Sequence, residues 1–374
     1  MQNLYKLIST VPLNEIEDAA LKQIQHLLDL ELVIKVVILP DVHAGYLAPI
    51  GSVILVQDHI VPEMVGYDIG CGMCHVNLGK DDRFNDGKFK SKLFDKLMNT
   101  IPHGMGVVNE KRHEVKLPFK SAIGDKELDK KVADIIGYQL GTLGSGNHFI
   151  ELGVNLMGEV GVTIHSGSRH PGWMVGDYYM KLADQLYDKF LPLDSALGKA
   201  YIEDLSYMLN YALENRKVML INILKVLGYK DYELMTIIND QMINENHNHA
   251  CMYDYNDGIV LHRKGATPAD LGQLGIIPGS MNTGVYVTKG RGNVEYLSSA
   301  SHGAGRRMSR TKAKKQSDMS VFEAQMKGIV ANVTKDNLDE SPMAYKDIQH
   351  VLDLQVEAGI IDVVDHFKPL INIK

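Results

Sequence analysis

The apolar positions change period along the chain, and those changes mark its elements. Leu13 to Leu30 carries Ile16, Ala20, Ile24 and Leu28 at helical spacing, which predicts an amphipathic helix. Residues 32–39 form a Val/Ile-rich run expected to be a buried strand, and Gly51 to Val56 a second. The first run delivers a polar turn, Pro40-Asp41-Val42-His43-Ala44-Gly45. Helices are expected over 87–101 and 125–140. Strands are expected over Gly161–His165, over Gly258–His262 and around Val285–Val287, while Phe149–Leu152 can be helical or extended. From 172 to about 240 the pattern is almost wholly helical: Trp173 to Leu191, then Ala196 to Leu227, long enough for one helix or a hairpin of two. That stretch carries no cluster of chemically reactive side chains, so it reads as a structural or substrate-guiding insertion. Helices are again expected over 318–333 and 344–366.

The polar turns between these elements carry the chemistry. In Val65-Gly66-Tyr67-Asp68-Ile69-Gly70-Cys71-Gly72-Met73, glycines let the backbone bring a carboxylate and a thiol to one point. Asp with Cys is a mixed hard and soft ligand set that suits a borderline transition metal. A Cys71–Cys74 zinc or redox pair is the rival, but the only other cysteine is the isolated Cys251, and His75-Val76-Asn77-Leu78 reads as strand rather than helix. Imidazoles at glycine-rich turns, His148 after Gly141–Gly146 and His165 before Ser166-Gly167-Ser168-Arg169, are candidate further ligands. In His247-Asn248-His249 both rings can face one side of a strand. His302 sits before Gly303-Ala304-Gly305, with Arg306, Arg307 and Arg310 following. Small residues beside guanidiniums suit a polyphosphate, and a histidine there can be a nucleophile toward phosphorus. Neither a Walker-type loop nor a dinucleotide fingerprint occurs.

Composition narrows the class. The 374 residues are 45% hydrophobic and 23% charged, as in a soluble globular protein. The net charge of −7 excludes a general nucleic-acid coat, so any nucleic-acid contact must be local. Three cysteines suggest a reducing compartment, and Met1–Pro12 shows no secretory pattern, so a cytoplasmic location is expected. No apolar run is long enough to span a membrane.

In chain order, Pro40–Gly45, Gly66–Met73, Gly144–Glu151, His165–Arg169, His247–Asn248, His262–Thr267, Pro278–Met281 and Ser301–Arg310 resemble the RtcB family of RNA-splicing ligases, as does the lysine at 374. The resemblance spans essentially the whole chain. It implies an α+β fold of the RtcB type, a central β region flanked by helices in a single large domain over residues 1–374. It implies a GTP- and Mn²⁺-dependent ligase that joins RNA 3′-phosphate or 2′,3′-cyclic phosphate ends to 5′-hydroxyl ends, in RNA repair or tRNA splicing. Carried over by residue, Asp68, Cys71, His148, His165 and His247 would hold two Mn²⁺ ions with Cys71 between them. His302 would carry GMP. Asn147, Glu151, Asn248, Pro278, Gly279, Ser280, Met281, Gly303, Ala304, Gly305 and Lys374 would border the nucleotide. Arg169, Arg263, Lys264, Arg306 and Arg310 are candidate phosphate or RNA contacts. A helper protein is compatible with this reading. A metal-dependent 2′,3′-cyclic phosphodiesterase without ligation and a non-catalytic RNA-binding relict are the alternatives. The sequence departs from the family at Asn282-Thr283-Gly284-Val285, where Val285 replaces a serine expected at the nucleobase.

Overall fold

The computed structural model describes residues 1–116 and 118–374. The architecture is α+β, built on two sheets. The smaller has five strands in the order Leu7–Ser9, Val33–His43, Ile50–Gln57, Ile259–Lys264 and Asn248–Asp254. The larger runs Leu274–Pro278, Val285–Gly290, Ile361–Ile373, Phe149–Val154, Glu159–Ser166, Gly72–Lys80 and Ile243–Asn246, with Val330–Ala331 lying beside Ile361–Ile373. This sheet nearly closes on itself. A side chain seals the seam, since the Glu245 carboxylate accepts from the Ile276 amide at 2.9 Å. Burial without a second partner pushes the Glu245 carboxyl up to about 8.

The long helix Ala196–Leu227 covers the larger sheet. Met219, Leu220, Ile223 and Leu224 pack on Val76, Ile150, Leu152, Val162 and Ile164, all fully buried. It is one helix, not a hairpin. No glycine or proline interrupts it between Lys199 and Leu227, Ser195 caps its start, and Gly228 ends it at φ +99. Helix Asp18–Asp29 covers the smaller sheet through Ala20, Ile24, Leu27 and Leu28.

Three expected helices differ. The first, Arg169–Tyr187, stops short of Leu191 where Asp188 and Lys189 turn to positive φ, and Leu191–Pro192 instead pairs with His59–Ile60. In 318–333 only Met319–Gln325 is helical, ending before Gly328 at φ +91. In 344–366 helix Ile348–Glu357 stops before Gly359, and the remainder belongs to the thirteen-residue strand Ile361–Ile373. β-Branched Ile360, Ile361, Val363 and Val364 favour the extended form there. Cys74 is buried in the core, not paired with Cys71.

Candidate active site

Strand register brings the site together. Gly72 pairs with Ser166 on one side and Asn246 on the other, and Phe149 pairs with His165. The ends of four strands therefore meet on one rim, and Cys71, His148, His165 and His247 meet there too. The Asp68–Cys71 loop is pinned by hydrogen bonds from Gly70 N to Asn248 O and from His247 N to Cys71 O. Gly66 holds φ +97 in that loop. A Cβ there would lie 1.8 Å from Lys264 Nζ, which donates to the Val65 carbonyl at 2.8 Å.

Cys71 Sγ lies 3.3 Å from Nε2 of both His148 and His165. Asp68 Oδ2 is 3.0 Å from His148 Nε2, and His165 Nε2 is 3.4 Å from His247 Nε2. The donor atoms fall into two groups, Asp68–Cys71–His148 and Cys71–His165–His247, each within 4.8 Å and sharing the thiol. All five residues named from sequence thus converge. The donor set fits the implied metal, because nitrogen, sulfur and oxygen ligand atoms, all buried but those of Asp68, are gathered within reach of one ion in each group. His148 is oriented by the Leu143 carbonyl, 3.0 Å from Nδ1. That bond puts the proton on Nδ1 and turns the Nε2 lone pair to the cluster. Arg169 Nη1, a donor 3.1 Å from the same Nδ1, competes with that bond, and a cation on Nε2 would favour the Leu143 partner. The Arg169 guanidinium occupies the space a side chain at Gly144 would fill, so it lies at the metal side.

Burial pushes the Cys71 thiol well up, with the Asp68 carboxylate adding to the effect, and pushes the His165 and His247 imidazoles well below their ordinary value. At neutral pH the imidazoles therefore present free lone pairs while the thiol keeps its proton. Metal uptake is expected to expel one proton from Cys71, and affinity to fall as pH is lowered. Titration calorimetry in two buffers of different ionisation enthalpy checks this; buffer-independent heats would contradict it.

His302 follows strand Ser299–Ser301, and its ring lies 4.7 Å from that of His247. Its Nδ1 is 2.6 Å from Oδ2 of fully buried Asp41, leaving Nε2 as the free nitrogen. Sequence reading passed over Asp41. It stands in the polar turn already noted, yet nothing along the chain ties it to a histidine 261 residues away.

A cavity of about 430 Å³ opens beside His302, within the range of small-molecule sites. Asn147, Glu151, Pro278–Met281, Gly303–Gly305 and Lys374 line it, as do Arg306 and Arg310. Burial pushes the Glu151 carboxyl up to about 8; Asn372 donates to one oxygen at 3.0 Å and the other has no partner. The two arginines and Lys374 are gathered by Glu340, with Lys374 Nζ at 2.5 Å and Arg306 Nη1 at 3.2 Å. Burial opposes ionisation of Glu340, but Lys374 and Arg310 prevail and hold it at about 2.

Other named residues lie elsewhere. Asn248 ties the metal loop to Gly265 through its side-chain amide. Arg263 is buried against Ser299 and His249, and Lys264 is spent on the Val65 carbonyl, so neither reaches the cavity. His249 faces Arg263, not the cluster. Val285 sits in the core with Met73, Phe149 and Ile276, so its departure from serine falls on packing rather than on the cavity wall.

The helix read as merely structural supplies two further residues. Arg216 is fully buried and donates to Gly70 O at 2.9 Å, Ser166 O at 2.7 Å, Asn244 Oδ1 at 2.9 Å and Asn246 Oδ1 at 2.7 Å. Asn215 accepts from Gly141 and Thr142 amides and donates to Thr142 O and Gly167 O. Together they fasten the loops that carry Cys71, His148, His165 and His247. The signal was present: both fall on the apolar face between Met208, Ala212, Met219 and Ile223, where the helical period calls for hydrophobic residues.

The family model described as tRNA-splicing ligase RtcB matches residues 23–131 and 120–374. The chain is 32% identical to the RNA-splicing ligase RtcB of Escherichia coli K12 over 91% of this chain and 90% of that one. It is 31% identical to the tRNA-splicing ligase RtcB of Nanoarchaeum equitans, over 96% and 92%. It is likewise 31% identical to the tRNA-splicing ligase RtcB of Archaeoglobus fulgidus, over 89% and 86%. Sequence similarity over nearly the whole chain agrees with the fold and with the convergence of five metal-ligand candidates, and the protein belongs to the RtcB family.

Proposed function

We propose that this protein is an RNA ligase that uses GTP to join RNA 3′-phosphate or 2′,3′-cyclic phosphate ends to 5′-hydroxyl ends, in one domain over residues 1–374. The observation that carries the proposal is His302: Nδ1 held by Asp41, Nε2 free, between the thiol–imidazole cluster and the cavity. Asp68, Cys71, His148, His165 and His247 would hold two divalent ions, Mn²⁺ in this reading, which supply charge neutralisation and orientation for phosphate displacement.

GTP is a co-substrate. His302 Nε2 attacks its α-phosphorus, a P–N bond forms, and pyrophosphate leaves. Asp41 accepts the Nδ1 proton's hydrogen bond and stabilises the positive ring as the bond forms. The RNA 3′-phosphate oxygen then displaces His302, taking GMP and leaving an activated 3′ end. The 5′-hydroxyl oxygen attacks that terminal phosphorus, loses its proton, and releases GMP. A cyclic phosphate end is first hydrolysed to the 3′-phosphate. Asn147, Glu151 and the Gly303–Gly305 backbone border the nucleotide, with Glu151's unpartnered oxygen available to a ribose hydroxyl. We place the reaction in the cytoplasm, since a chain with only three cysteines suits a reducing compartment; none of the described helices is long and apolar enough to cross a membrane.

The test is joining of two RNAs, one ending in 3′-phosphate and one beginning with 5′-hydroxyl, with GTP and Mn²⁺. A joined product that needs GTP is expected, with no joining of 3′-hydroxyl to 5′-phosphate ends. Opening of cyclic phosphates without joining would replace ligation by hydrolysis. Metal-loaded protein inert in both assays would leave RNA binding alone.

A further inference from the structure

Four rings form an exposed row outside the site. Tyr46 meets Tyr67 edge-on at 5.9 Å. Tyr67 stacks on Trp173 at 5.8 Å and 18°, and Trp173 stacks on His170 at 5.4 Å and 14°. Tyr46 is 71% exposed and Trp173 44%. Elsewhere, the neighbouring rings of Tyr179 and Tyr201, tilted at 49°, are fully buried and belong to the core. This row is not core packing, since its two largest contributors remain open to solvent.

Each member comes from a segment that also builds the site. Tyr46 lies three residues beyond His43, which lines the nucleotide cavity. Tyr67 precedes Asp68. His170 and Trp173 begin the helix that starts at Arg169, directly after the His165 turn. The row therefore stands on the same segments that position the metal-ligand candidates and the cavity. In the hollow beside Tyr46 and Tyr67, Glu63 is paired with Lys189 and Asp177 with Lys181, and Asp184 leaves one carboxylate over. A ligand here would be gripped by stacking more than by charge. Tyr67 and His170 already stack on Trp173, so a base would be taken on the part of Trp173 that remains open or would extend the stack at its outer end; aromatic faces of this kind bind unpaired nucleobases, which offer a π-face whatever their identity.

We propose that the Tyr46–Tyr67–Trp173–His170 row is a stacking platform for unpaired bases of the RNA next to the ends being joined. It would make the protein prefer single-stranded termini over base-paired ones. This inference rests on the RNA-ligase reading above.

Trp173 is the only tryptophan in the chain, so its fluorescence reports the contact directly. Adding a short single-stranded oligoadenylate with a 3′-phosphate is expected to quench that emission, and a blunt RNA duplex of equal length to quench it far less. In ligation of single-stranded ends, Trp173→Ala is expected to raise KM roughly 5- to 150-fold, the effect of losing one stacked base. Trp173→Phe should retain most of the affinity, and labelling by GTP, which needs no RNA, should be unchanged in both variants. Equal quenching by single strand and duplex, absence of quenching, or an unchanged KM in Trp173→Ala would overturn the platform. Selective quenching with no labelling of the parent protein by GTP would support the platform and sink the ligase reading instead.

Discussion

Replacing His302 with alanine will abolish covalent labelling of the protein by α-labelled GTP, while metal content and folding persist. The parent label should be acid-labile and alkali-stable, as a phosphorus–nitrogen bond requires. The more informative partner is Asp41→Asn. In the parent, Asp41 Oδ2 at 2.6 Å keeps the His302 proton on Nδ1, so the Nε2 lone pair faces the cavity. An asparagine amide can instead donate to Nδ1. That favours the tautomer with its proton on Nε2, where the nucleophile must be bare. Loss of an orienting carboxylate of this kind slows reaction by roughly 100- to 10,000-fold. Single-turnover labelling rates measure it. A His302→Ala protein that still takes label would remove His302 as the nucleophile. An Asp41→Asn protein labelled at the parental rate would show that Asp41 does not set the tautomer.

The second large effect is expected at Arg216. Arg216→Met keeps the length of the side chain and removes donors to two backbone carbonyls and two asparagine side chains at once. Buried acceptors left without donors cost about 1–3 kcal/mol each when nothing relaxes. The net loss for breaking a buried charged network is about 3–5 kcal/mol. Glu214→Ala, two residues away on the solvent side, should change stability by less than about 0.5 kcal/mol. Arg216 is also a buried cation close enough to lower the Cys71 thiol against the burial that raises it. The Met variant should therefore hold metal less tightly at a given pH. Arg216→Lys should restore part of the metal affinity but little stability, since one ammonium cannot reach four acceptors in a planar fork. Denaturant midpoints and metal content at fixed pH measure both. A Met variant with the parental midpoint would refute the bracing role.

These two arguments show where the sequence was informative. Repeating apolar positions located helix Ala196–Leu227 and two of the four rim strands, around His75–Leu78 and Gly161–His165, because periodicity reports burial and burial built those elements. Residues whose local setting advertises chemistry, Cys71 among glycines or His302 before Gly-Ala-Gly, could be picked out one at a time. Their meeting rests on strand register across hundreds of residues, and only resemblance to a known family supplied that. Asp41, Asn215 and Arg216 were missed for a related reason. Each acts on a partner distant in sequence, and the two polar residues on the apolar helical face form no local cluster that would single them out. The C-terminal strand was misread as helix because Ile348–Glu357 is a true helix and the period was extended past Gly359.

That strand has a consequence for the order of assembly. Ile361–Ile373 pairs with Val285–Gly290 through its first half and with Phe149–Val154 through its second. On the ribosome, Phe149–Val154 and Val285–Gly290 each lack a neighbour along one edge until this strand emerges, although Glu245 can already join Ile276 across the seam. Until then both keep open edges, and such edges invite pairing with other chains. A message cut short after His302 would encode every candidate metal ligand, the nucleophile and all four strands of the rim, yet leave Phe149–Val154 and Val285–Gly290 without the strand that joins them.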